Sequence, residues 1–295
     1  APAIDDGAGD THVIEKMPRP VSDGTAPAAK PHEADLKRLP ARAEATADKT
    51  TGLVPAERLS RNLVAVHIPH SFEAEQFRML RTNLLFPKLG TPPPRTLLVT
   101  SALPGEGKSF VSANLAATIA QNVDHRVLLI DADMRHPTIH HLFGLDGKEG
   151  LSDYLSNGRP IPELLRRSHS PRLSILPGGP PPHNPSELLS SKRMAALLQE
   201  VKTRYNDRFV IIDSPPPHLT SESNALAQFV DGIIVVVKFD TTPRDLVIEL
   251  IGKFEKGKIA GIVTNYMKPG TQAYYSSDKY AKRYVGHPAT ASKKK

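Results

Sequence analysis

Eight residues, Ala102 to Ser109, read A-L-P-G-E-G-K-S, and their types suit one task, the enclosure of a polyphosphate. Gly105 and Gly107 let backbone N–H groups curl around phosphate oxygens, and the start of a following helix adds a favourable dipole. Lys108 would reach the outer phosphates, and the Ser109 hydroxyl would ligate Mg2+. A glycine-rich turn capping an ordinary helix is the bland alternative. It does not explain why a stretch ending in Gly-Lys-Ser directly follows a β-rich apolar run ending near Thr100 and opens a helix. Two more apolar runs end in carboxylates: V-L-L-I-D-A-D from Val127 to Asp133, and F-V-I-I-D-S-P-P from Phe209 to Pro216. Alone, an aspartate after a strand is more often a cap or a turn residue. Asp131, Asp133 and Asp213 beside a phosphate loop are better read as Mg2+ ligands, direct or through water.

These groups must be held by regular elements. Beyond Pro94 the chain alternates short apolar runs with helical stretches. The runs are Thr96 to Thr100, Arg126 to Ile130, Leu173 to Leu176, Phe209 to Ile212, Gly232 to Val237 and Ile259 to Thr264. They lack polar alternation, as strands buried on both faces of a parallel sheet do. Helices are expected over Lys108 to Gln121, Ser186 to Arg204, Ser221 to Phe229 and Pro243 to Phe254. The alternation predicts right-handed crossovers and a doubly wound α/β fold, a mostly parallel sheet with helices on both faces. The carboxyl ends of its strands would bring the phosphate loop and the aspartates together.

Residues 1 to 60 are rich in Ala, Pro, Asp, Lys and Thr with no sustained apolar period, and read as a disordered arm or linker. The catalytic-type domain is expected over 61–269, and a flexible tyrosine-containing tail over 270–295. A helix capped by Ser71 opens the domain, its apolar face formed by Phe72, Phe77, Leu80, Leu84 and Leu85. The 295 residues contain no cysteine, which removes disulfides and thiolate metal sites and fits a reducing cytoplasm. No apolar run is long enough to span a bilayer, and no signal peptide is evident. The net charge of +7 is scattered and partly terminal. Basic and aromatic residues interleave only in the tail, so nucleic acid is not an expected partner, and an acidic membrane surface suits the basic end better.

The motifs together resemble those of the bacterial tyrosine kinases (BY-kinases), P-loop kinases tied to capsule and exopolysaccharide export. Asp131-Ala-Asp-Met-Arg-His-Pro137, followed by His140 and Phe143, is similar to their second Walker motif. Asp213-Ser-Pro-Pro216 resembles their Walker B motif. Gly150-Leu-Ser-Asp-Tyr-Leu155 and Asn184-Pro-Ser-Glu-Leu-Leu189 resemble further family segments, and the likeness runs from about Ser71 to Asn265. Leu103 stands where partition and division-site ATPases of the same superfamily carry an extra lysine, which points away from them.

The resemblance implies an ATP- and Mg2+-dependent protein-tyrosine autokinase. Pro104, Gly105, Glu106, Gly107, Lys108, Ser109, Phe110 and Asn265 would bind the nucleotide. Ser109, Asp131, Asp133 and Asp213 would serve Mg2+, and the aspartates would orient or deprotonate the incoming tyrosine. A free phenol, with a pKa of about 10, needs such help to become a nucleophile. Glu75, Arg78 and Arg81, in the pattern E-x-x-R-x-x-R, would build the subunit contacts of a homo-oligomeric ring, although spacing alone also fits a solvated helix face. Tyr274, Tyr275, Tyr280 and Tyr284 would accept phosphate in trans. The implied partners are a membrane polysaccharide co-polymerase that activates the kinase and a tyrosine phosphatase, at the cytoplasmic face of the membrane. A nucleotide-switched scaffold without tyrosine transfer is the second reading. It would need an amphipathic membrane helix, and the tail has no good apolar face.

Overall fold

The computed structural model describes residues 52–87, 92–204, 208–215 and 222–267. Seven strands form one sheet: β1 (Thr96–Ser101), β2 (Arg126–Asp131), β3 (Arg166–Arg167), β4 (Leu173–Leu176), β5 (Arg208–Asp213), β6 (Gly232–Lys238) and β7 (Ile259–Asn265). Their order across the sheet is β3-β4-β2-β5-β1-β6-β7. Every pairing is parallel except that of β3 with β4, as the doubly wound reading requires.

The apolar runs lack polar alternation because both sheet faces are covered. Leu98, Ile130, Ile212 and Val235 point into one core with Met194, Leu197 and Leu198. Leu97, Val99, Leu129, Ile211 and Ile234 point into the other with Phe77, Leu115 and Ile119. Side chains two apart share a face of a strand, so alternate residues serve separate cores. The edge strand β7 is the exception. No residue in it is fully buried, and Ile262 is 52% exposed.

The helix Lys108–Ala120 is buried along almost its whole length. It lies beneath the sheet on one side and under the N-terminal segment on the other. Asn114, a polar residue in mid-helix, accepts from the Ala65 amide at 3.1 Å and donates to the Asn62 carbonyl at 2.9 Å. It thereby fastens the chain from Leu59 to His67 over the helix.

That segment differs from the composition-based expectation of a disordered arm through residue 60. From Gly52 onward the described chain is part of the fold. Val54 donates to the Ser168 carbonyl at 3.1 Å, a 3-10 turn spans Ala56–Arg58, and Leu59 is buried. Sparse apolar residues, Val54, Leu59 and Leu63, suffice to anchor a stretch with no helical period. The Ser71 cap is present, its hydroxyl accepting from the Ala74 amide at 3.1 Å, and Phe77, Leu84 and Leu85 are buried as the pattern predicts.

The stretch expected as one helix from Ser186 to Arg204 is two, Pro185–Leu189 and Lys192–Arg204. The break falls at Ser190-Ser191, where the Ser191 hydroxyl accepts from the Met194 amide at 3.2 Å and caps the second helix. The helices Glu222–Ala227 and Arg244–Gly252 are shorter than expected. Strand β3 and four short helices, Val64–His67, Ile139–Leu142, Leu151–Asn157 and Ile161–Leu164, have no counterpart in the sequence reading.

Candidate active site

The phosphate loop joins β1 to the helix Lys108–Ala120. Gly105 and Gly107 take left-handed backbone, φ +75° and +91°, which other residues adopt only under strain. A Cβ on Gly105 would meet nothing within 4 Å, whereas one on Gly107 would lie 2.1 Å from Asn265 Nδ2. Gly105 thus fulfils a conformational need, and Gly107 also a steric one. Glu106 lies buried beneath the loop. Its carboxylate accepts from the Leu103 amide at 2.9 Å and from the Thr242 hydroxyl, and its carbonyl accepts from Asn265 Nδ2 at 3.0 Å. The loop is therefore braced from β6 and β7 before any ligand arrives.

Across from it stand the aspartates. Asp131 and Asp213 are register partners at the ends of β2 and β5, and both are fully buried. Asp131 Oδ2 accepts from the amides of Thr138 and Ile139, each at 3.0 Å, which shapes the loop after β2. Its Oδ1 makes no hydrogen bond. Asp213 Oδ1 accepts from the Ser112 hydroxyl at 3.1 Å, and its Oδ2 is likewise unbonded. Burial pushes the Asp213 carboxyl up to about 6, against the weaker opposing pull of the Ser109 hydroxyl and the Lys108 ammonium. Burial and then the charge of Asp213 hold Asp131 well above the ordinary carboxylate range. Asp133 is raised too, chiefly by burial, although the His136 amide and Lys108 draw it down. It is the one aspartate of the three that keeps partial contact with solvent.

Two buried, unbonded carboxylate oxygens at adjacent strand ends are what a divalent cation would satisfy. Among the described residues no group of three or more His, Asp or Glu forms a ready cage. That suits Mg2+ in a phosphate site, where water, phosphate and one or two side chains complete the shell. The donor set of Ser109, Asp213 and Asp131 fits.

A further polar cluster gathers around Glu222, which stands where the bacterial tyrosine kinases it resembles often carry aspartate after Walker B. Glu222, 1% exposed, accepts from Arg135 Nε at 3.1 Å and Nη2 at 2.9 Å, and from the Ser186 hydroxyl at 2.7 Å. This triad joins the Asp131 motif, the Asn184-Pro-Ser segment and the chain after β5. Gly178 packs where a Cβ would stand 3.5 Å from Asp131 Cγ. Ser112 was legible in principle, one helical turn beyond Lys108.

Glu75, Arg78 and Arg81 do not approach this site. Arg78 binds Glu75 at 2.7 Å and the Pro69 carbonyl at 2.7 Å, and Arg81 binds the Thr118 carbonyl at 3.1 Å. Asn265 touches the loop at the Glu106 carbonyl and beside Gly107. Phe110 packs against the core that holds Phe77, with the two rings 5.7 Å apart. Tyr274, Tyr275, Tyr280 and Tyr284 lie outside the described residues.

A phosphate loop closing on buried aspartates at the carboxyl ends of a parallel sheet defines a P-loop NTPase. A family model described as "ParA: NUBPL iron-transfer P-loop NTPase" matches residues 94–275. Within that class the chain belongs to the bacterial tyrosine kinases. It is 36% identical over 220 residues to tyrosine-protein kinase YwqD of Bacillus subtilis, covering 74% of this chain and 91% of that one. Among solved structures it is similar to the chimerical protein CapA2B2, with a TM-score of 0.65 at 33% identity over 71% of this chain and 92% of that one. The kinase domain of Escherichia coli tyrosine kinase ETK gives 0.63 at 32% identity, covering 70% and 82%. Other relatives are much longer. The chain is 35% identical over 247 residues to EpsB of Ralstonia solanacearum, 83% of this chain but 32% of that protein.

Proposed function

We propose that this protein is an ATP- and Mg2+-dependent protein-tyrosine kinase that phosphorylates the tyrosines of its own C-terminal segment in trans. The observation that carries the reading is the pair of unbonded carboxylate oxygens, on Asp131 and Asp213, facing a phosphate loop with a buried lysine. Gly105 to Ser109 bind the phosphates, with Lys108 on the outer ones. Ser109, Asp213 and Asp131 would hold Mg2+, which when bound neutralises charge on the phosphoryl oxygens. Asp133, partly exposed and accepting from the His136 amide at 3.2 Å, would take the acceptor's proton. The phenolic oxygen forms its bond to the γ-phosphorus as the bond to the ADP oxygen breaks, and the phenol's proton passes to the Asp133 carboxylate. Such transfer needs positioning and charge neutralisation more than covalent help.

Transfer in trans requires assembly, and we assign the Phe72–Leu85 helix to the subunit contact. It bears Glu75, Arg78 and Arg81, and Met79 and the capping Phe86 are 52% and 74% exposed one heptad apart. A head-to-tail contact of this kind closes into a ring or grows indefinitely. The wider role, regulation of polysaccharide export with a membrane co-polymerase as activator and a phosphatase as counterpart at the inner membrane face, follows from the resemblance of the motifs to those of the bacterial tyrosine kinases. Among the described residues no helix is long and apolar enough to cross a membrane.

Intact-mass measurement after incubation with Mg·ATP tests the activity, with phosphosites mapped on Tyr274, Tyr275, Tyr280 and Tyr284. Nucleotide turnover with no phosphate on tyrosine would replace this reading with the nucleotide-switched scaffold. Each phosphate adds about −1.5 to −2 charges, so a fully phosphorylated ring should loosen, and light scattering run in parallel reports it.

A further inference from the structure

Two non-glycine residues among those described hold left-handed backbone, Asp240 at φ +55° and Tyr266 at φ +60°. Both stand at the carboxyl ends of adjacent strands, just beyond β6 and β7. For a bulky aromatic residue this conformation is a genuine outlier, and such strain persists only where surrounding bonds enforce it. Here they do. The Tyr266 amide donates to Asn265 Oδ1 at 2.9 Å, and Asn265 Nδ2 donates to the Glu106 carbonyl at 3.0 Å. The Phe239 amide donates to the Asn265 carbonyl at 2.9 Å, and the Lys238 amide to the Thr242 hydroxyl at 2.8 Å. Thr242 in turn reaches the Glu106 carboxylate.

The result is an aromatic ring fixed beside the phosphate loop yet outside the core. Tyr266 Cε2 lies 3.5 Å from where a Cβ on Gly107 would stand, at the first turn of the phosphate-binding helix. The residue is 57% exposed, and the Lys238 ammonium stands 5.0 Å from its ring centroid. A buried tyrosine would serve packing, and an unrestrained surface tyrosine would relax to ordinary backbone. This one is held open.

We infer that Tyr266 is the stacking platform for the base of the bound nucleoside triphosphate, and that Asn265 positions it. The inference rests on the nucleotide-binding reading and adds the specificity of the base site. The Asn265 carboxamide is already engaged on both its oxygen and its nitrogen, so it has little left to read a base edge. A flat ring offers its face to any base, and stacking tolerates sequence because every base has one. ATP and GTP should therefore bind with affinities within a few-fold of each other.

The test is calorimetric titration of the full chain with Mg·ATP, Mg·GTP and Mg·tripolyphosphate. Tyr266→Ala should weaken both nucleotides by about tenfold while leaving tripolyphosphate unchanged. Tyr266→Phe should bind as the unmodified chain does. Tyr266→Gly, which adopts φ +60° without strain, should reproduce the alanine loss and so exclude a backbone artefact. Unchanged ATP affinity in the alanine and glycine variants overturns the platform. So does an equal loss of tripolyphosphate, which would make Tyr266 a prop for the loop. Discrimination of ATP from GTP by a hundredfold would overturn base-tolerant stacking. A chain that binds tripolyphosphate as tightly as ATP overturns the inference and leaves the phosphate site standing; one that binds none of the three overturns both.

Discussion

The two walls of the phosphate site are built on opposite plans. On the side of β2 and β5, Asp131 and Asp213 are buried with an unbonded oxygen each, and both carboxyls are pushed toward protonation. On the side of β6 and β7, Glu106, Thr242, Asn265 and Tyr266 are joined by hydrogen bonds into one braced corner. The first wall stores unsatisfied charge that a cation or a proton relieves. The second is finished in advance and supplies shape. Catalysis of phosphoryl transfer requires both, because field without position stabilises the wrong geometry and position without field leaves charge unopposed.

The sharpest way to break the comparison is to remove charge that belongs to neither wall. Lys108→Met should lower tyrosine phosphorylation by roughly a hundred- to a thousandfold or more, with the fold little changed, since the side chain forms no ion pair within 4 Å among the described residues. Wild-type incorporation by a folded variant, read by intact mass, would show that the lysine does not meet the transferring phosphate.

Asp213→Asn tests the charged wall by itself. Activity should fall by roughly two orders of magnitude, yet the metal-free protein should become more stable. The carboxyl stands at about 6 in the folded chain against an ordinary value of 3.8, so its ionised form opposes folding. That penalty is full above pH 6, shrinks as pH falls from 6 to 4, and is gone below the unfolded value. The asparagine variant should therefore gain up to about 3 kcal/mol at pH 8 in EDTA, and almost nothing at pH 4. Equal melting temperatures at pH 8 would mean that the wall carries no stored charge.

Changes on the braced wall should act more mildly and through shape. Gly107→Ala puts a methyl 2.1 Å from Asn265 Nδ2 on backbone at φ +91°, and should cost about 2 kcal/mol together with nucleotide affinity. Asn265→Ala removes the bonds to the Glu106 carbonyl and the Tyr266 amide. It should cost about 1 kcal/mol in denaturant titration, and combined with Gly107→Ala it should relieve part of the clash, giving a clearly non-additive cycle.

What was legible in the sequence follows the same division. The phosphate loop, Asp131, Asp133 and Asp213 announce themselves, because each sits at the end of an apolar run and needs only local residue types to be recognised. The doubly wound sheet was legible for the same reason, each central strand being apolar on both faces. The braced wall was legible only in part, since Glu106 and Asn265 follow from the family resemblance while the bonds that join them do not. Thr242, Tyr266 and the Arg135–Ser186–Glu222 triad acquire meaning only from partners far along the chain, Glu222 lying 87 positions from Arg135. The fastening of residues 52–60 was hidden likewise, since its one strong signal is Asn114, which looks like any polar residue in a helix. The break at Ser190-Ser191 was a different failure, a local capping signal overlooked within an otherwise helical period.

The strand order bears on how the chain reaches this state. β1 carries the phosphate loop, yet its neighbours in the sheet are β5 and β6, and Thr96 pairs with Val210, more than a hundred positions away. Closing so long a loop must precede the contacts that reward it, which makes assembly of the sheet centre slow. During synthesis the loop sequence leaves the ribosome long before the strands that will flank it. A nascent chain ending before β5 carries every residue of the phosphate loop without the frame that shapes it, so under the proposed function a nucleotide could assist folding only once the last third of the domain has emerged.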